Sequence, residues 1–105
     1  MAADHFLRAA PDNLAPRALR DYVAILRDSA FRFGPAVARQ SRDRLNARIS
    51  AIADGRVVGH QRLDVRTKRP LRFFNEPPWV IAFDPDTRLV LRILHEKRDF
   101  PTLLR

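Results

Sequence analysis

The chain contains no cysteine, which excludes a disulfide-stapled scaffold and any zinc site built on thiolates. Its three glycines are scattered, so no Gly-rich loop of the kind that cradles phosphate is present. Long apolar runs are missing as well. The longest, Tyr22 to Leu26 and Trp79 to Phe83, are far too short to span a bilayer, so no membrane association is expected. The opening residues Met1 to Phe6 show no basic segment followed by an apolar one, so no secretory leader is read and the cytoplasm is the expected location. His5 and His60 have no partners at ligand-like spacing, and neither a metal nor another cofactor is expected.

What the chain does have is positive charge. It carries 20 Lys plus Arg against 12 Asp plus Glu, a net charge of +8 over 105 residues. Lysine occurs only at Lys68 and Lys97, so arginine supplies nearly all of it. A guanidinium binds phosphate and carboxylate through a rigid fork, which suits an anionic partner, either nucleic acid or an acidic protein. An arginine-rich proteome would produce the same composition. The length fits one domain over residues 1–105, and 46% hydrophobic residues are enough for an ordinary core.

Residues 4–9, with Phe6 and Leu7, read as a short strand, and Pro11-Asp12-Asn13 as a turn and helix cap. Leu19, Tyr22, Val23, Leu26 and Ala30 then recur at helical spacing. Gly34-Pro35 ends that helix and opens a second, marked by Val37, Ser41, Leu45, Ile49 and Ile52, which Asp54-Gly55 terminates. The two helices read as an antiparallel hairpin. Residues 56–70 read as a basic loop, with Val57-Val58 a possible short strand. Residues 71–75, 79–83 and 88–95 read as strands, the last two joined by Asp84-Pro85-Asp86-Thr87. Leu103 and Leu104 are expected to dock beyond Pro101. Helices followed by consecutive strands predict an α+β domain with the helical hairpin on one face of a small, mainly antiparallel sheet. The other face is expected to be open. Strand alternation would place Leu89, Leu91, Ile93 and His95 on one face, and Arg88, Val90, Arg92 and Leu94 on the other. With the first set on the helices, Arg88 and Arg92 would line the open side, with Arg72 from a neighbouring strand.

Three segments carry a family resemblance: Asp21-Tyr22-Val23; Phe33-Gly34-Pro35 opening the second helix; and Leu71-Arg72-Phe73, Trp79 to Phe83 and Val90 to Asp99. In that order they resemble the RelE/ParE superfamily of type II toxin–antitoxin toxins over nearly the whole chain. The resemblance implies a toxin neutralised by a cognate antitoxin protein. It also implies one of two targets: DNA gyrase for ParE-like members, or messenger RNA in the ribosomal A site for RelE-like members.

RNA cleavage by a 2′-hydroxyl needs a proton acceptor, a stabiliser of charge on phosphorus and a proton donor to the leaving oxygen. Nuclease members of the superfamily often place Arg directly after the aromatic of the middle strand, where this chain has Val80. They often place Tyr about six residues after the post-strand Arg, where this chain has Leu104. These departures point to the ParE-like branch and gyrase. The nuclease alternative would rest on Arg72, His95 and Arg98 as catalytic residues. An imidazole can take up and give a proton near neutral pH, which makes His95 the acid/base candidate, although a strand-end histidine also packs locally. In either case Arg88, Arg92, Lys97 and Arg98 are candidate contacts to the target or to an anion. A catalytically inactive partner-binding module is the third reading.

Overall fold

The computed structural model describes residues 2–62, 67, 68 and 70–98. The expected tail contacts of Leu103 and Leu104 lie outside the described residues. Three helices, α1 (Ala2–Ala9), α2 (Pro16–Phe33) and α3 (Pro35–Ala53), precede three strands, β1 (Arg72–Glu76), β2 (Trp79–Phe83) and β3 (Val90–His95). The strands form one antiparallel sheet in the order β1-β2-β3, so β2 is central and β1 and β3 are its edges. The α+β class and the helical hairpin are as expected. No helix among the described residues is long and apolar enough to cross a membrane.

The N-terminal strand is a misreading. Residues 2–9 are helical, because the segment is rich in Ala, Leu and Arg and has no β-branched residue. Phe6 on this helix is buried in the main core. Nor does the Asp12-Asn13 turn cap α2. Its N-cap is Ala15, without a side-chain hydrogen bond, and Pro16 occupies the first turn. Asn13 instead ties three segments together: its amide donates to the carbonyls of Ile49 and Arg88, and its own carbonyl accepts from the Val90 N–H.

Neither α2 nor α3 has a side-chain N-cap, a deficit of about 1 kcal/mol at Ala15 and of only a few tenths at Gly34. Burial outweighs it. Tyr22 and Leu26 from α2 and Leu45, Ile49 and Ile52 from α3 are almost completely buried, each contributing about 1.5–3 kcal/mol. They pack on Ile81, Phe83, Val90 and Ile93 of the sheet. Tyr22 keeps its polar end satisfied by donating to Asn46 Oδ1 at 2.7 Å. Burial pushes its phenol pKa above the usual 10.0, with the Asn46 bond acting the other way.

Two expectations about the sheet fail. Its second face is not open: Phe73, Val80, Ala82 and Leu94 are buried there as a separate apolar cluster, with Leu71 against it. The alternation assumed for residues 88–95 is also broken. β3 begins at Val90, preceded by Arg88 in a left-handed conformation at φ 63°, and a register shift lies opposite Ala82 and Phe83. A bulge of this kind adds one residue to the strand, so side chains on either side of it no longer alternate. Val90 and Ile93 therefore both face the helices, and Arg88 and Arg92 share no open face. The suggested strand at Val57-Val58 is likewise irregular, flanked by the positive-φ residues Gly55 and Gly59. Among the described residues of that region, pairing is limited to a bridge between His60 and Phe73.

Candidate functional site

A groove of about 570 Å³ runs between the helical hairpin and the β3 side of the sheet. Its apolar lining comes from every layer: Ile25 and Phe33 of α2, Val37 of α3, Trp79 of β2, and Ile93 and Leu94 of β3. The stripe that turns α2 and α3 toward the sheet has run out by the hairpin tip, so Phe33 and Val37 stay exposed at 66% and 36%.

Both carboxylates in the groove are already engaged. Asp28 pairs with Arg32 one helical turn on, at 3.0 Å. Asp21 accepts from Arg92 Nε at 2.8 Å and Nη2 at 3.1 Å, and from the Ile93 N–H at 2.9 Å. The Asp21 and Arg92 side chains are only 17% and 13% exposed. The remaining ionic groups of the groove are cationic, Arg44 and Arg98, with His95 beside them.

Arg44 belongs to a second cluster at the same end of the sheet. Glu76, at the end of β1, is buried and bridges two arginines of α3. Arg44 approaches one carboxylate oxygen at 2.6 Å and Arg48 the other at 2.6 Å. The two guanidinium groups also lie over aromatic rings, Arg44 at 5.8 Å from Trp79 and Arg48 at 5.2 Å from Phe74. Burial alone would push the Glu76 carboxyl pKa up. The hydrogen bonds from Arg48 and Arg44 more than reverse that and hold it below the ordinary 4.5.

The structure separates the residues expected to act together. Arg72 opens β1 and is paired with Phe83, which in turn pairs with Val90. His95 closes β3 opposite Trp79, which pairs with Glu76. Arg72 is thus four residues along β1 from the His95 end, about 13 Å along the strand, with two inter-strand spacings across the sheet in addition. His95 and Arg98 do stay together. The Arg98 N–H donates to the His95 carbonyl at 2.9 Å, and the Lys97 N–H donates to His95 Nδ1 at 3.2 Å. With Nδ1 accepting, a neutral His95 carries its proton on Nε2. Lys97 and Arg98 are exposed in this turn. Arg88 lies at the opposite end of the sheet with Arg72, and Arg92 is the ion partner of Asp21.

Sequence reasoning missed Asp21, Arg44, Arg48 and Glu76 as parts of this surface. One signal was present: Arg44 and Arg48 are four apart on one helix face, a like-charge spacing that disfavours a helix unless an acid sits between them. Nothing in the sequence named Glu76 as that acid. No group of acidic or histidine side chains among the described residues could hold a metal ion.

No curated protein and no solved structure matches the chain. The family model described as the ParE toxin of type II toxin–antitoxin system, parDE, matches residues 13–100, and the chain belongs to that family of toxins.

Proposed function

We propose that this toxin acts by binding DNA gyrase, without bond-breaking chemistry of its own, and that a cognate antitoxin neutralises it by filling the groove between the hairpin and the sheet. The observation that carries the first part is the position of Arg72, at the far end of the sheet from His95 and Arg98. A phosphoryl-transfer site needs its proton-transfer and charge-stabilising groups within hydrogen-bond reach of one phosphate. Val80, where nuclease relatives often carry Arg, is buried in the second apolar cluster. Inhibition of gyrase supercoiling by the purified chain tests this reading.

The antitoxin assignment is supported by chemistry. The groove has an apolar lining from both layers and its own acids are spent on Arg32 and Arg92, which leaves Arg98, and Arg44 where it shares the single charge of Glu76 with Arg48, as its cationic groups. An amphipathic segment with acidic residues beside its apolar face complements both features. Either target puts the site of action in the cytoplasm.

The pairing of His95 with Arg98 favours a second reading, a ribosome-dependent messenger RNA endonuclease. Toxin-dependent A-site breaks in a toeprinting assay, lost in Arg98→Ala, would establish it. Normal growth on expression without antitoxin would indicate an inactive partner-binding module.

A further inference from the structure

A second cleft lies at the opposite end of the sheet from the groove and shares no residue with it. It encloses about 190 Å³ where the exit of α3 meets the start of β1 and the turn before β3. Arg72 and Arg88 supply its charge; Val57, Val58 and Phe83 supply apolar walls.

Arg88 is held in place from several directions. Its backbone occupies the left-handed region at φ 63°, a conformation that non-glycine residues adopt only where their surroundings impose it. Its Nη1 donates to the carbonyl of Ala53 at the end of α3, at 3.3 Å. Its guanidinium also lies flat against Gly55, where an added Cβ would sit 2.8 Å from the Arg88 guanidinium carbon and Nη2. Any side chain at position 55 would push the guanidinium away. Arg72 is different: its side chain makes no hydrogen bond or ion pair among the described residues. No carboxylate among the described residues lines the cleft, and nearby Asp54 is paired with Arg56 at 3.0 Å. Two guanidinium groups therefore share one cleft, one fixed in position and the other without a counter-charge among the described residues.

We propose that this cleft is a binding site for a phosphate group, carried on a nucleotide or on a nucleic-acid strand. Forked guanidinium donors match phosphate geometry, and the ordering of Arg88 is complete before the ligand arrives. The volume falls below the roughly 300 Å³ at which pockets for drug-sized ligands begin, so one phosphate fits with a single ring edge against Val58 and Phe83, and a whole dinucleotide does not. Val58, 74% exposed, is an apolar side chain available to such a ring. The proposal is independent of the antitoxin assignment, since none of the groove residues contributes to it.

Amide-resolved NMR titration of the whole chain with inorganic phosphate, a nucleoside monophosphate and a short single-stranded oligonucleotide tests it. Saturable shifts are expected at Gly55, Val58 and Arg72. Arg72→Gln removes a partnerless side chain and is expected to weaken binding about tenfold or more, the scale of one charge-assisted hydrogen bond. Arg88→Lys keeps the charge, loses the fork, and is expected to weaken it as well. Arg39→Gln removes the same charge from the exposed face of α3 and is expected to leave binding unchanged. Tighter binding of the monophosphate assigns the site to free nucleotides; tighter, steeply salt-dependent binding of the oligonucleotide assigns it to a strand. Absence of saturation at those amides, or equal weakening by Arg39→Gln, would overturn the proposal by reducing it to the attraction of any anion to a cationic chain.

Discussion

Asp21 of α2 holds Arg92 and the Ile93 N–H of β3 at once, closing part of the sheet's exposed edge with a helix side chain. The same contact sets the charge of the groove, because it neutralises one of its two acids. Other parts of the chain cover more of that edge. Val90 is paired on both its N–H and its carbonyl with the segment around Leu14, and the His95 carbonyl accepts from Arg98. An edge strand with few free backbone groups is a poor template for another strand.

Asp21→Ala should therefore destabilise the protein by about 2–4 kcal/mol, since it strips a mostly buried guanidinium of its carboxylate and leaves the Ile93 N–H without its acceptor. Asp21→Asn, which keeps one oxygen for the Ile93 N–H, should cost less. Denaturant unfolding monitored by circular dichroism measures both. Equal stability of the wild type and Asp21→Ala would show that the contact holds nothing together.

Glu76 makes stability depend on acid. Its folded pKa is lower than its unfolded value, so the stabilisation is fully present above the ordinary 4.5 and is lost as pH falls through the lowered folded value. The midpoint of denaturation should fall across that window in the wild type. In Glu76→Gln that part of the pH dependence should disappear, with reduced stability at neutral pH because Arg44 and Arg48 lose their shared counter-charge. Parallel pH profiles for the two proteins would contradict the assignment.

Trp79, the only tryptophan, lines the groove and is half-buried beneath Arg44. A partner segment that fills the groove should desolvate the indole and shift its emission to shorter wavelength. Ile25→Asp, which places a charge on the apolar floor, should weaken that complex at least tenfold, the equivalent of about 1.4 kcal/mol. An unchanged emission spectrum in a stoichiometric toxin–antitoxin complex would move the antitoxin off this surface.

How far the sequence could be read follows from what each element depends on. The hairpin was legible because α2 and α3 are set by local periodicity, with a glycine and a proline marking their junction. β2 was legible as a continuous apolar run. It is apolar throughout because both faces of the sheet are covered, the feature that the expectation of an open face missed. The start of β3 was misread because the bulge and the left-handed Arg88 arise from the way Asn13, Ala53 and Gly55 meet the strand from far along the chain. The site was legible only in part. His95 and Arg98 are neighbours in sequence and remain together. Arg72, Arg88 and Arg92 are distributed by sheet register and by ion pairs with distant acids, which no local pattern encodes.

The most direct test of the central claim is a gyrase assay with supercoiled plasmid, ATP and the purified chain, scoring protein-linked DNA breaks after detergent and protease treatment. Gyrase-dependent breaks should accumulate with toxin concentration, persist in His95→Ala, and vanish when the cognate antitoxin is added first. Unimpaired supercoiling with no trapped breaks, by toxin that still arrests growth, would contradict the account.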